Sequence, residues 1–332
     1  MVAARRSQLA VSEASVPEGV GWLCHTQLNK VQVMQQQRNL KSVRHFSEDI
    51  LLSEMKGEAE DHSPREEDED EDEEMEQPQI PDVSHGYHLV KGEMGHGMED
   101  YIVAETRKSN GHELRLYAIF DGHSGRNVAK YLQRHLFDNI LNQPEFWENP
   151  KEAIKRAYKK TDDEILERVG DMRGGSTAVT AILMDGEKLI VANVGDSRAI
   201  LCRANGAVEQ ITIDHDPLRE KQLVENRGGF VSEMPGNVPR VDGQLAMTRA
   251  FGDAKVKEHI TSEPDVRVEM IDPNTDEFII LASDGLWKVM SNEEAFEKIR
   301  ELDDAQEASE ELIKEALARK SQDDISCIVV AF

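Results

Sequence analysis

Residues 117–125 read YAIFDGHSG, an apolar stretch that runs directly into Asp121, Gly122 and His123. The apolar start is typical of a buried β-strand. Asp-Gly after a strand is usually a turn, because aspartate hydrogen-bonds its own backbone and glycine tolerates a positive φ. The stretch therefore raises the question of whether Asp121 only forms a turn or is held at a strand end for chemistry.

The same change from an apolar strand to an acidic residue occurs at two further places. VANV ends in Gly195-Asp196, and FIILAS ends in Asp284-Gly285. If the strands pack as two antiparallel sheets, their ends cluster at one edge, where several carboxylates repel one another unless a cation neutralises them. Mg²⁺ and Mn²⁺ favour carboxylate and water ligands. The recurrence therefore predicts a divalent-cation site, although each transition alone is compatible with an ordinary turn.

Two acidic pairs extend this set. Glu99 and Asp100 precede the first core strand in GMEDY, and Asp323 and Asp324 lead into the last strand in SQDDISCIVV. A shared site requires both ends of the segment 99–324 to meet, which favours a single domain. The alternative for each pair is a solvated strand end.

Short β-branched strands and longer helical segments follow one another from about Pro81 onward. The predicted strands read YIVAE, LRLYAIF, TAVTAIL, KLIVANV, RAILCRA, FIILAS and SCIVVAF. Helical periodicity covers residues 125–141, 150–169, 292–300 and 305–319. Because the strands come in adjacent runs, the pattern predicts an α+β fold with antiparallel sheets and helices outside them.

The remaining composition excludes several classes of protein. No apolar run approaches the roughly 18–20 residues of a membrane span. The net charge of −26 disfavours direct binding to nucleic acid and favours basic protein segments. The three cysteines are widely scattered, which indicates reduced thiols rather than disulfides. Residues 1–19 lack the continuous apolar core of a secretory signal, but targeting to an organelle stays open as an alternative. We expect an intracellular protein, cytoplasmic, nuclear or both.

The N-terminal part of the chain differs in composition from the rest. Residues 58–76 hold thirteen acids and one arginine, and we interpret residues 58–80 as an acidic disordered linker. We expect residues 1–57 to form an extension that is partly ordered at most; the helical spacing between residues 28 and 55 leaves a helix or a partner-binding segment as the alternative. Residues 81–332 form the predicted catalytic domain.

Other catalytic templates are missing from the sequence. There is no GxSxG, GxxxxGK[ST], HExxH or GxGxxG motif. His123 is the histidine that lies beside a candidate ligand, so a proton-transfer role is open to it; the alternative is an ordinary surface or core histidine.

The ordered motifs resemble the metal-dependent protein serine/threonine phosphatases of type 2C, and in particular their plant members. The matching stretches are MEDY, YAIFDGHSGRNVAKYL, GGSTAVTAIL, LIVANVGDSRAILCRANG, DHDPLRE, LAMTRAFGD, FIILASDGLWKVM and DDISCIVV. They cover nearly all of residues 84–332. The resemblance implies a four-layer α-β-β-α sandwich, two Mn²⁺ or Mg²⁺ ions at one edge, and hydrolysis of phosphoserine and phosphothreonine in proteins during signal transduction.

The resemblance also implies roles for individual residues. Asp121 would bridge both ions and Gly122 would offer its carbonyl oxygen. A water held between the ions would lose a proton readily and attack phosphorus. Asp284 and Asp323 would bind one ion directly. Glu99 and Asp100 would support the other ion, largely through water. Asp196 would be the ligand of a possible third ion. His123 would protonate the departing oxygen. Thr177 and Asp253 fall in matching motifs near the site.

Two positions depart from the family pattern. Many relatives bind the substrate phosphate with an arginine at the position of Gly95, so Lys91 or His96 are the candidate replacements. Lys288 stands where many relatives carry an aspartate for the third ion. A lysine there is expected to weaken that ion, which puts a third-ion role for Asp196 in doubt. Alternatively, Lys288 supplies positive charge near the phosphate or pairs with a site carboxylate.

These departures leave alternatives open. One is a weakened pseudophosphatase or phosphoprotein-binding regulator, and another is a hydrolase of small phosphoesters. Residues 216–245 match the family's flap but lack the tryptophan of hormone-receptor-regulated relatives, so we expect no receptor lock. We expect phosphoprotein substrates and a monomer.

Overall fold

The computed structural model describes residues 83–168 and 173–332. The predicted extension at residues 1–57 and the predicted acidic linker at residues 58–80 lie outside the described residues, and both stay predictions. Within the described ranges, none of the helices combines the length and the apolar character needed to cross a membrane.

The described chain contains short and long strands together with six helices. The strands are β1 Ser84–Val90, β2 Tyr101–Ser109, β3 His112–Phe120, β4 Gly122–His123, β5 Gly175–Ser176, β6 Ala178–Met184, β7 Lys188–Val194, β8 Arg198–Arg203, β9 Val208–Gln210, β10 Val231–Ser232, β11 Arg240–Val241, β12 Phe251–Gly252, β13 Asp265–Met270, β14 Asp276–Ala282 and β15 Ile325–Ala331. The helices are α1 Asn127–Leu141, α2 Pro150–Leu166, α3 Lys221–Asn226, α4 Asp284–Trp287, α5 Asn292–Ile299 and α6 Ala305–Ala318.

Two five-stranded sheets form the centre of the fold. The first sheet has the order β1-β15-β14-β8-β9 and the second has the order β13-β7-β6-β3-β2. Every neighbouring pair in both sheets is antiparallel. The sequence therefore predicted the sheet type correctly.

Strand β3 shows how the layers are stacked. Leu116 and Ala118 pack with α1 and α2 on one face, whereas Tyr117 and Ile119 pack against the first sheet on the other. Successive side chains of a strand point to opposite faces, so a strand buried on both sides is apolar throughout. The outer face of the first sheet packs against α4, α5 and α6. The predicted four-layer α-β-β-α sandwich is confirmed.

The predicted helices agree with the structure to within a few residues at their ends. The first begins at Asn127 rather than at residue 125, because Ser124 and Gly125 have positive φ values of 57° and 137°. Strands β1, β9 and β13 of the two large sheets were missed, as were the two-residue strands. These three each lie at the edge of a sheet and mix polar with apolar residues, which weakens the alternation that reveals a strand.

A third, three-stranded sheet of order β12-β5-β4 places three of the sequence motifs beside one another. Gly122 and His123 pair with Ser176 and Gly175 of β5. The same two β5 residues pair on their other side with β12, Phe251–Gly252. The DGH, GGST and FGD stretches therefore meet at one end of the sandwich.

Candidate active site

Both ends of the segment 99–324 meet in the structure. One carboxylate oxygen of Asp324 accepts a hydrogen bond from the backbone N–H of Gly92 (2.7 Å), and the other accepts one from that of Glu99 (2.8 Å). The hydroxyl of Ser326 donates to Asp100 at 2.6 Å. The loop before β2 is thus fastened to the start of β15.

Five aspartates at this end of the sandwich form what we call the carboxylate cluster: Asp100, Asp121, Asp196, Asp284 and Asp323. Burial, followed by the negative charges of the other four, raises the pKa of Asp121 well above its usual value. Burial is also the largest cause that raises the pKa of Asp100 and of Asp196 to about 7 each. Such mutual repulsion favours the binding of a cation.

Several oxygens of the cluster lack partners. Oδ1 of Asp100, of Asp196 and of Asp284 is buried and has no hydrogen-bond partner in the described part of the chain. Buried polar atoms are normally satisfied, and carboxylate oxygens are the donors that Mg²⁺ and Mn²⁺ prefer. The donor chemistry therefore fits a hard divalent cation. Within residues 83–168 and 173–332, however, no three or more His, Cys, Asp or Glu side chains are arranged as a ready-made ligand set.

Lys288 supplies a positive charge to this cluster. Its ammonium lies 2.6 Å from Oδ2 of Asp284 and 2.9 Å from Oδ2 of Asp323. Burial lowers the pKa of Lys288, but these two carboxylates outweigh it and raise the pKa above its usual value. Lys288 therefore pairs with site carboxylates, which is one of the alternatives considered for this residue.

His123 is held by an aspartate that lies far away in the sequence. Its Nε2 lies 2.7 Å from Oδ2 of Asp253, while its Nδ1 is buried and finds no hydrogen-bond partner within residues 83–168 and 173–332. Burial lowers the pKa of His123, but the hydrogen bond and charge of Asp253, helped by Asp196 and Glu99, raise it above its usual value. A Cβ at Gly175 would lie 2.2 Å from the Asp253 carboxylate, so this glycine makes room for the pair.

The glycines beside the aspartates do not all have the positive φ that the alternative turn interpretation assumes. Gly195 has a positive φ of 104°, whereas Gly122 and Gly285 are not among the residues with positive φ. A Cβ at Gly122 would lie 2.7 Å from the carbonyl oxygen of Glu99, and one at Gly285 would lie 2.1 Å from that of Asp324. For these two residues the turn interpretation is wrong, since close backbone approach requires the glycine. Asp284 instead begins helix α4.

The loop that precedes Glu99 borders the cluster. Lys91 is exposed, and Gly95 is also exposed with a φ of 85°. Nδ1 of His96 lies 2.8 Å from the carbonyl oxygen of Gly97. That hydrogen bond is the largest cause that raises the pKa of His96, and Glu99 and nearby aspartates add to it.

His215 supports the site and was missed in the sequence, where it appeared only within the DHD stretch. It is fully buried, and its Nδ1 accepts a hydrogen bond from the backbone N–H of Gly195 at 2.9 Å. Its Nε2 lies 2.9 Å from Oδ2 of Asp265 in β13. The imidazole therefore fixes the backbone that carries Asp196.

A pocket of about 650 Å³ lies beside the cluster and is lined by residues 97–99, 124–127 and Arg173. Its two arginines, Arg126 and Arg173, were not singled out in the sequence. Arg126 could have been found in the sequence, because it is a basic residue only three positions after His123. No local sequence pattern links Arg173 to this pocket.

Comparison with known proteins adds the family context. Residues 91–325 match the family model described as Protein phosphatase 2C. The chain is 66% identical over 251 residues to the Arabidopsis thaliana protein named Probable protein phosphatase 2C 28, covering 76% of this chain and 74% of that protein. It is 59% identical over 254 residues to the Oryza sativa subsp. japonica protein named Probable protein phosphatase 2C 62, covering 75% and 87%.

A solved structure shares the fold. The chain superimposes with a TM-score of 0.65 on a structure described as serine-threonine phosphatase 2C from Toxoplasma gondii, at 24% sequence identity, covering 75% of this chain and 96% of that one. At this identity the likeness shows the architecture alone.

Proposed function

Because this chain belongs to the protein phosphatase 2C family, as a plant-type member, we propose that its carboxylate cluster hydrolyses phosphoserine and phosphothreonine in proteins with bound Mn²⁺ or Mg²⁺. Family membership makes the chain a serine/threonine protein phosphatase. The proposal concerns the metal requirement and the residue roles. The observation that carries it is the group of buried, unpartnered oxygens of Asp100, Asp196 and Asp284.

The residues proposed to hold two ions come from four separate segments. Asp121 would bind both ions, with the carbonyl oxygen of Gly122 beside it. Asp284 and Asp323 would bind one ion, and Glu99 and Asp100 would support the other. When bound, such ions supply positive charge that neutralises the cluster and make water a better nucleophile.

A third ion would have Asp196 as its ligand, and Lys288 bears on this possibility. The ammonium already neutralises Asp284 and Asp323 at distances of 2.6 and 2.9 Å. Because like charges repel, we propose that a third ion binds more weakly here than it would with an aspartate at this position.

His123 is proposed to give a proton to the seryl or threonyl oxygen that leaves phosphorus. An alkoxide is a poor leaving group, so protonation of this oxygen lowers the barrier. Asp253 holds the imidazole by the 2.7 Å contact at Nε2 and raises its pKa, which keeps a proton available. Nδ1 is buried and has no hydrogen-bond partner among the described residues, so we propose it as the ring nitrogen whose proton is given to the leaving oxygen.

Phosphate release from a phosphothreonine peptide tests this function. We expect release only with Mn²⁺ or Mg²⁺, and a loss of at least about 100-fold in kcat for Asp284→Asn. The control is Asp163→Asn, an aspartate that forms an exposed pair with Lys159. Metal-saturated wild-type protein that releases no more phosphate than Asp284→Asn would contradict the proposal. Turnover of small phosphoesters but not of phosphopeptides would contradict the assigned substrate class.

Two statements about cellular context are proposals as well. We propose an intracellular site of action, cytoplasmic or nuclear, which the free, buried thiols of Cys202 and Cys327 support. We also propose that hormone-bound receptors do not lock the site, because no tryptophan lies in residues 216–245. Imaging of a fluorescent fusion and inhibition assays with such receptors test the two statements.

A further inference from the structure

The pocket beside the carboxylate cluster brings together two arginines from distant parts of the chain. Arg126 precedes helix α1, and Arg173 precedes strand β5. A Cβ at Gly125 would lie 3.1 Å from the carbonyl oxygen of Arg173, so the two segments are in contact next to both arginines. Both side chains line the same pocket.

Neither guanidinium is paired with another described residue. Both arginines are exposed, and neither side chain forms an ion pair or a hydrogen bond with residues 83–168 or 173–332. By contrast, arginines such as Arg198, Arg249 and Arg319 are each paired with a carboxylate in this acidic protein. Free arginines at a pocket are available to bind an anion, and their planar geometry suits carboxylate and phosphate.

The charge of the pocket also favours an anion. Its charged lining residues are Arg126, Arg173 and Glu99, so two positive charges and one negative charge leave a net charge of +1. The chain as a whole has a net charge of −26. An acidic peptide is therefore repelled by much of the protein and attracted locally at this pocket.

The position of the pocket separates it from the reacting centre. Glu99 lines it, but Asp100, Asp121, Asp196, Asp284 and Asp323 do not. Ser124 lines it and directly follows His123, the proposed proton donor. An anion bound there would sit next to the phosphate that is cleaved rather than in its place.

We propose that Arg126 and Arg173 form an anion subsite that binds an acidic side chain or a second phosphate close to the phosphoserine or phosphothreonine of the substrate. This inference rests on the proposed function and deepens it by naming a substrate class. The subsite makes the protein prefer phosphopeptides with acidic or multiply phosphorylated flanks, despite its own negative charge.

Matched peptides test the subsite. Three phosphothreonine peptides carry flanking alanines, flanking aspartates, or a non-hydrolysable phosphonate beside the phosphothreonine; the last two distinguish carboxylate from phosphate as the preferred anion. In wild-type protein we expect kcat/KM to be higher for one or both anionic peptides than for the alanine peptide. In the double variant Arg126→Gln/Arg173→Gln we expect a smaller preference: the kcat/KM for an anionic peptide divided by that for the alanine peptide should fall about tenfold. Each of the two exposed charge pairs is expected to change binding by a few-fold.

Two further variants give the test its specificity. Arg126→Lys/Arg173→Lys keeps the charges and should retain part of the preference. Arg134→Gln removes another exposed arginine of helix α1, one that lines a different pocket, and should keep the wild-type ratio. Melting curves show whether every variant is folded. A wild-type ratio near one, or a ratio that the double glutamine variant does not change, overturns the proposal.

A binding measurement separates this proposal from the proposed function. Fluorescence anisotropy follows a labelled peptide that carries the phosphonate and flanking aspartates, and it requires no turnover. We expect about tenfold weaker binding to the double glutamine variant than to wild type and to Arg134→Gln. If no peptide is dephosphorylated but this difference is present, the subsite stands and the proposed function fails. Equal binding by all three proteins overturns the subsite whatever the activity.

Discussion

The ammonium of Lys288 lies 2.6 Å from Oδ2 of Asp284, so a lysine neutralises a carboxylate that is proposed to bind metal. It also lies 2.9 Å from Asp323, a second proposed ligand. A divalent ion that binds both carboxylates must compete with this internal cation. The lysine therefore makes the metal-free site more stable and the metal-bound site less favourable.

Removal of this lysine is expected to strengthen metal binding. In Lys288→Met we expect the Kd for Mn²⁺, measured by calorimetry, to fall by about three- to tenfold, since the competing charge is partly exposed and its effect is screened. We expect the metal-free variant to melt at a lower temperature, because its carboxylates lose a partner. The control is Lys298→Met, whose lysine pairs with Glu311 and Glu315. An unchanged or higher Kd in Lys288→Met would argue against this competition.

Loss of the partner of His123 is expected to change the pH dependence of catalysis. In Asp253→Asn the pKa of His123 falls, because the hydrogen bond and charge that oppose the effect of burial are weakened. A protonated donor is lost as pH rises through its pKa, so the alkaline limb of the kcat profile moves to lower pH. We expect kcat near neutral pH to fall at least about tenfold.

The control for this prediction is Asp185→Asn, which removes the carboxylate from a half-exposed pair with His112. Its pH profile should match that of wild type. An alkaline limb that stays in place in Asp253→Asn, or an NMR titration in which the His123 pKa is unchanged, would speak against the assigned role.

Gly122 is expected to tolerate no side chain. In Gly122→Ala the new Cβ would lie 2.7 Å from the carbonyl oxygen of Glu99, so the backbone must shift. We expect a cost of about 1–3 kcal/mol in the free energy of unfolding. Thermal melting measures it, with Gly97→Ala as the control because a Cβ there meets nothing within 4 Å. Equal melting temperatures for the two variants would contradict the prediction.

Loss of the buried His215 is expected to destabilise the protein more than loss of an exposed histidine. His215→Ala leaves the backbone N–H of Gly195 and the carboxylate of Asp265 without their partner. We expect a loss of about 2–4 kcal/mol in urea unfolding. His112→Ala removes a half-exposed pair and should cost less than about 1 kcal/mol. Similar losses in both variants would show that burial does not decide the effect.

Local patterns in the sequence were enough to predict most of the architecture. The run YAIF in β3 is buried on both faces, which is why its apolar character was continuous and easy to recognise. The helices of the two outer layers showed clear periodicity for a similar reason, since each buries one face. The edge strands β1 and β13 lacked such a pattern because solvent reaches part of their surface.

The order of residues along the chain already shows that acidic residues follow several core strands and that their charges need neutralising. Which side chains meet one another became visible only in the folded protein. Asp253 reaches His123 across 130 positions, Lys288 reaches Asp323, and Arg173 joins Arg126 at one pocket. These partners depend on which strands are neighbours and in which register they pair, as in the small β12-β5-β4 sheet. Local spacing carries no record of contacts between residues that are far apart in the chain.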